Sequence, residues 1–173
     1  MAILSIRRYG DPILRRRASP VAEITPEVQR LIDDMVETMY DALGIGLGAT
    51  QVGVPLRVLV VDAGGGEARA YVNPEIVERD GEVVGEEGCL SLPGIFADVA
   101  RAGRVVVEAR DREGRPVREQ AEGLLARVFQ HEIDHLDGIL FIDRLDKVSR
   151  DRIKRRIKKD GLPDEAPAGA TAL

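Results

Sequence analysis

The chain has 173 residues, 44% hydrophobic and 32% charged, which fits one globular domain with a sizeable core and excludes a disordered chain. Its net charge of −5 argues against a general nucleic-acid binder. A single cysteine cannot form an internal disulfide, no secretory signal is read at Met1 to Gly10, and no apolar run reaches the length of a membrane span; a cytoplasmic location is expected.

Residues 1–24 read as an arm with turn signals at Gly10-Asp11-Pro12 and Ser19-Pro20. Thr25-Pro26 has the form of an N-cap followed by proline in the first helical position. Val28, Leu31, Ile32, Met35, Val36, Met39, Tyr40 and Leu43 repeat at helical spacing, so one long amphipathic helix is predicted, stopped by Gly44. A glycine-rich loop from Gly44 to Gly53 follows, then a short strand over Val58 to Val61. Tyr71-Val72 and Ile76-Val77 predict strand pieces interrupted by Asn73-Pro74, and Asp80-Gly81 predicts a hairpin. Val105 to Val107 begin another strand, turned by Asp111 to Gly114 into a partner around Val117.

Residues 122–137 predict a second helix, ended by Gly138, with Leu124, Leu125, Val128, Phe129, Ile133 and Leu136 on its apolar side. Ser149 is read as the cap of a short, basic third helix. Residues 1–160 are expected to form one domain and 161–173, rich in Ala, Pro and Gly, a flexible tail. Strands running together, with a helix before and after, make the fold class α+β: mostly antiparallel small sheets around a central helix, a long N-terminal helix and a short C-terminal one.

Both histidines of the chain fall in one word of the central helix, His131-Glu132-Ile133-Asp134-His135. On a helix, i and i+4 share a face with Cβ atoms about 5–6 Å apart, so two imidazoles can grip one metal ion while the adjacent Glu reaches a water. No histidine follows to serve as third ligand, Glu165 lies in the expected tail, and Asp137 is too close to His135 in sequence. Cys89 remains, in Glu87-Gly88-Cys89-Leu90-Ser91, a Gly- and Glu-rich stretch unlike a core strand. Three ligands leave one position open, as a catalytic site requires. A structural site would recruit Glu132 as fourth ligand, but on a helix it points about 100° away from His131. Two other readings stay open: a different HExxH metallopeptidase, and a non-catalytic zinc-stabilised binding module.

Gly44-Ile45-Gly46-Leu47-Gly48-Ala49-Thr50-Gln51, Glu87-Gly88-Cys89-Leu90-Ser91 and Gln130-His131-Glu132-Ile133-Asp134-His135-Leu136, in this order, together resemble peptide deformylase, from about Ile6 to Ile157. The resemblance implies a hydrolase that removes the formyl group from the N-terminal formylmethionine of nascent chains. It implies Cys89, His131 and His135 as ligands of one divalent ion, Fe2+ expected in the cell and Zn2+, Ni2+ or Co2+ able to replace it. Glu132 would be general base and acid. The Gln51 side chain and the Leu90 N–H would face the formyl oxygen. Ile45, Gly46, Glu87, Gly88, Leu124 and Val128 would line the substrate, and Arg101 would pair with Glu87 to brace the cysteine loop.

Several positions depart from the common family pattern: Gly48 stands where Ala is usual, Gly85 and Arg127 where many relatives place apolar residues, and Phe96 near where some place an arginine. These positions leave the chemistry intact and bear on pocket shape and on the preference beyond methionine. The expected partners are an N-formylmethionyl peptide and, through basic residues 150–159, the ribosome near its exit tunnel, with no membrane or disulfide partner and a monomeric state. The plain alternative for that helix is a solvated charged face docked by Ile153 and Ile157.

Overall fold

The computed structural model describes residues 2–163 and 172–173. Helix α1 spans Pro26–Asp41, with Thr25 accepting a hydrogen bond from the Val28 N–H and Pro26 opening the first turn, as its sequence predicts. It ends at Asp41, ahead of Gly44. The stretch expected to be a glycine-rich loop is instead a short strand, β1 (Gly46–Gly48), running into a 3-10 turn over Ala49–Val52, with every residue of both buried.

Strand β2 (Val58–Val61) is apolar at every position because both its faces are covered. Val58 and Val60 pack toward α1, in a cluster with Val28, Ile32, Met35 and Met39. Leu59 and Val61 join the opposite cluster, with Val128, Phe129, Ile133 and Leu136 of helix α2 (Gly123–Leu136). Phe129 meets Tyr71 edge to face, ring centroids 4.8 Å apart.

Strand β3 is continuous over Arg69–Asp80; the predicted interruption is a register shift between Val72 and Glu75. Asn73 sits there at φ +53°, and its side chain exchanges two 2.8 Å hydrogen bonds with the backbone of Val21, tying down the N-terminal arm. Strands β4 (Val83–Cys89), β5 (Leu92–Arg101), β6 (Arg104–Arg110) and β7 (Pro116–Glu122) complete two antiparallel sheets. One has five strands in the order β1-β2-β3-β6-β7; the other is the β4-β5 pair.

Asp80-Gly81 does not form the predicted hairpin. Both edges of β3 are taken, by β2 and by β6, so the chain leaves the large sheet after Asp80 and starts the small one. The hairpin lies further on, where Leu90-Ser91 joins β4 to β5. That small sheet packs Leu92, Ile95 and Val99 against Leu14, Leu140, Phe141 and Ile142.

Helix α3 spans Lys147–Asp160 and is capped by Asp146, not Ser149. The Asp146 carboxylate accepts from both the N–H and the hydroxyl of Ser149. Ile153 and Ile157 seat the helix on the third cluster. Of the expected tail, residues 164–171 lie outside the described residues. Leu162 packs on that same cluster, and Ala172 and Leu173 are buried, so these three do not behave as a free tail.

Candidate active site

Beyond its first three residues α2 is buried on all sides, from Ala126 to Leu136. Its last carbonyls, which lack helical donors, are met by other elements: His135 O accepts from Thr50 Oγ1 at 3.3 Å, and Leu136 O from Arg57 Nη1 at 3.0 Å and Ala18 N at 2.8 Å. The end carrying both histidines is therefore anchored. The His131 ring also stacks near Phe141, centroids 6.1 Å apart.

Cys89 is the last residue of β4 and comes against this helix. One ligand atom from each of Cys89, His131 and His135 lies within 4.8 Å of the others, and all three residues are buried. Cys89 Sγ is 3.2 Å from His135 Nε2. Among the described residues, His131 Nε2, His135 Nδ1 and both Glu132 oxygens have no hydrogen-bond partner although they are buried. Burying such groups unpaired costs several kcal/mol each, of order 1–3 for a neutral group and more for a charged one. A divalent cation with its water fits His131 Nε2 and the Glu132 oxygens, and the soft thiolate and imidazole donors suit such an ion.

The electrostatics without a cation show the same need. Burial, then the charge of Glu132, pushes the Cys89 thiol up. Burial, then Glu87, raises Glu132 well above the usual carboxylate range. Burial, then His131, lowers His135 well below the ordinary histidine value. A cation held there would reverse the first two shifts, favouring the Cys89 thiolate and the Glu132 carboxylate, and would reinforce the third, since His135 ligates as the neutral imidazole.

Glu87 lies behind the ligands. His131 Nδ1–H donates to its Oε1 at 2.9 Å, which turns Nε2 toward Cys89 and His135. Arg101 grips both Glu87 oxygens, Nε at 2.8 Å and Nη2 at 2.9 Å, and reaches Asp134 with Nη1 at 2.6 Å. Arg144 then holds Asp134 from the outside. Burial alone would raise the Glu87 pKa, but hydrogen bonds from Arg101 and His131 outweigh it and hold the carboxyl at about 2. The expected Glu87–Arg101 pair is thus buried, not a pair of solvated surface charges.

Gln51 is fully buried; its Oε1 accepts the Gly48 N–H at 3.0 Å, and its Nε2 lies 3.1 Å from Ser91 Oγ and 3.8 Å from Cys89 Sγ. Gly46 approaches Glu132 so closely that a Cβ would meet Val128 Cγ1 at 2.8 Å and Glu132 Cγ at 2.9 Å. At Gly44 a Cβ would meet Leu90 Cδ1 at 2.6 Å, so the β1 segment and the β4–β5 turn abut. Ile45 packs, partly buried, on the cluster that contains Val128. Gly88 lies under the Phe96 ring, which a Cβ would strike at 2.4 Å. Leu124 stands apart, half exposed on the first turn of α2.

The parts played here by Asp134, Ser91, Arg144 and Arg127 do not follow from the spacing of the motifs. Asp134 carried a signal: a carboxylate inside an apolar helix needs a buried partner.

A family profile described as polypeptide deformylase matches residues 3–151. A peptide deformylase of Alkalilimnicola ehrlichii is 56% identical over 162 residues, covering 92% of this chain and 91% of that protein. The crystal structure of a peptide deformylase from Legionella pneumophila superposes with a TM-score of 0.86 at 48% identity, covering 91% of this chain and 95% of that one. One from Thermus thermophilus superposes equally well, TM-score 0.86, at 47% identity, covering 91% and 94%. No described helix is long and apolar enough to cross a membrane.

Proposed function

The chain belongs to the polypeptide deformylase family, enzymes that hydrolyse the N-terminal formyl group from nascent polypeptides, and from that premise we propose how its own residues carry the reaction. Cys89, His131 and His135 would hold one divalent ion, which when bound supplies Lewis-acid polarisation of the formyl oxygen and acidifies a water. Glu132 takes the proton of the attacking water and returns it to the departing amine as formate leaves. The observation that carries this role is the pair of buried, unpartnered Glu132 oxygens beside the three ligands. Gln51 Nε2, held in orientation by Gly48 and Ser91, and the Leu90 N–H face the charge developing on the formyl oxygen. Each such donor contributes roughly 2.7–4 kcal/mol to transition-state stabilisation.

The substrate backbone has two strand edges to use. β1 is the outer strand of the large sheet and β4 pairs only with β5, so an extended peptide can add alongside Gly46 and Gly88. The Gly88 carbonyl already accepts one main-chain N–H, that of Leu173. The methionine side chain would lie against Ile45 and Val128, with half-exposed Leu124 further along the channel; Glu87, expected to line the substrate, is buried behind the ligands with both oxygens engaged and would act through His131. One chain supplies all three ligands, in keeping with action as a monomer, and a nascent-chain substrate is in keeping with a cytoplasmic location.

Replacing Glu132 by Ala should leave metal content near one ion per chain and abolish formate release from a formyl-Met peptide; near-normal turnover would sink the general-base role. Fe2+ is the proposed native ion. Anaerobically prepared Fe2+ protein should then outpace the Zn2+ form, and equal rates would count against it.

A second role rests on α3, where Arg152, Lys154, Arg155, Arg156, Lys158 and Lys159 are all exposed while its two isoleucines dock it. This face would contact ribosomal RNA. Changing Arg155, Arg156, Lys158 and Lys159 to Glu should weaken ribosome binding and flatten its salt dependence while sparing short-peptide activity. Unchanged affinity removes the idea.

A further inference from the structure

Arg127 lies one helical turn before His131, on the same face of α2, and its guanidinium does not line an open pocket. Nη1 donates to Glu87 Oε2 at 2.6 Å and to the Val99 carbonyl at 2.9 Å; Nη2 donates to the Val83 carbonyl at 2.9 Å. One side chain thus ties both strands of the β4–β5 pair, and the carboxylate behind His131, to the helix that carries the histidines. This matters because Cys89 arrives on that two-stranded sheet, and a lone two-stranded pair is marginal by itself. Opposite the guanidinium stands Gly85, where a Cβ would lie 3.0 Å from Nη2 and 3.1 Å from Cζ. A Cβ at 85 would already press on the guanidinium, and a branched side chain would have to move it.

We propose that Arg127 is a positioning residue of the metal centre, fixing Glu87 and through it the His131 ring, and that Gly85 is the vacancy that admits it. The two departures from the common pattern are then one unit, and its first effect is on the metal frame, not on the methionine pocket. The proposal rests on the reading of Cys89, His131 and His135 as the ion's ligands.

The test compares Arg127→Leu, Gly85→Val and the double variant as Zn2+-loaded proteins, reading metal release into a chelator, kcat and KM. Arg127→Leu should release the ion about 10-fold faster or more and lose about 10-fold in kcat, with KM little changed. Gly85→Val should reproduce this defect, and the double variant should be no worse than Arg127→Leu. Arg127→Lys, which keeps a charge but not the forked donors, should fall between and serves if the Leu variant does not fold. Wild-type release rates, an effect confined to KM, or additive single effects would each overturn the proposal. If the unaltered protein binds the ion but releases no formate, the deformylase reading fails while the release rates still decide this one.

A separate observation carries a second inference. Ala172 and Leu173 are buried, Leu173 belongs to the apolar cluster that includes Val128, and its N–H donates to Gly88 O at 3.1 Å, one residue from Cys89. We infer that Ala172-Leu173 occupies the channel proposed above for the formylmethionyl residue, as a tethered competitor. A chain ending at Pro163, and separately Leu173→Asp, should bind the product peptide Met-Ala about threefold tighter or more and lower KM in parallel, with kcat unchanged. Threefold corresponds to a channel self-occupied about two-thirds of the time. Unchanged or weaker binding overturns the inference; absence of Met-Ala binding to every form removes the channel reading and this inference with it.

Discussion

Glu87 offers the sharpest perturbation, because four donors converge on its two buried oxygens: Arg101 Nε and Nη2, Arg127 Nη1 and His131 Nδ1. In Glu87→Ala, Arg101 keeps only Asp134, which it shares with Arg144, while Arg127 keeps backbone carbonyls. Two buried guanidinium groups are left short of negative charge, and the His131 Nδ1–H loses its partner. Breaking a buried pair from one side costs about 3–5 kcal/mol. At about 2–4 °C per kcal/mol for a chain of this size, Tm should fall by roughly 6–20 °C. Loss of the group that orients a metal-binding imidazole should also weaken the ion about 10- to 100-fold. Thermal unfolding with the ion and with a chelator separates the two effects: a large drop should persist without metal, and a further one should appear with it. A fall of less than about 3 °C together with unchanged ion release would refute the idea that this carboxylate organises the site.

Gly46→Val would drive a side chain into Glu132 and Val128 and should cut kcat/KM by roughly 100-fold. Gly48→Ala, whose Cβ would meet His135 Cβ at an ordinary 3.5 Å, should leave it near the starting value; equal effects would argue against close packing at Gly46. Phe129→Ala removes a fully buried ring from the seam between α2 and the large sheet and should cost about 3–5 kcal/mol in urea unfolding; a loss under about 1 kcal/mol would displace the core from that seam. The Asp143 pKa is lowered because, although burial would raise it, hydrogen bonds from Arg15 and the Leu140 N–H outweigh that. A folded pKa below the unfolded one stabilises above the unfolded value and is lost as pH falls through the folded value. Asp143→Asn should therefore be less stable than the wild type at pH 7, with the gap closing below roughly pH 4; a gap that widens in acid would contradict the assignment.

Much of the local structure was legible in the residues. Thr25-Pro26 and the spacing from Val28 to Met39 specified α1, and the run Gly123 to Leu136 specified α2 with both histidines on one face. These are signals of short range, set by caps and by the 3.6-residue period. Strands β4 and β5 were not legible. Their residues are polar or small where they carry the site, so no alternation marks them, and Gly85, Gly88 and Glu87 are explained by Arg127, Phe96 and Arg101, which lie 8 to 42 positions away along the chain. Asp80-Gly81 misled for the same reason: a turn dipeptide states that the chain reverses, not which strand it meets next.

The sequence by itself determined the ligand chemistry. Two histidines and one cysteine are all the imidazole and thiol donors this chain has, and the helical spacing of the histidines with Glu132 beside the first leaves little else for them to do. Tertiary structure alone decided that the thiol meets the imidazoles, that Glu87 rather than water orients His131, and that Arg127 joins the framework instead of the pocket wall. The physical reason is that a buried charge tolerates its position only when partners from several elements converge on it, and that convergence is a property of the packed fold.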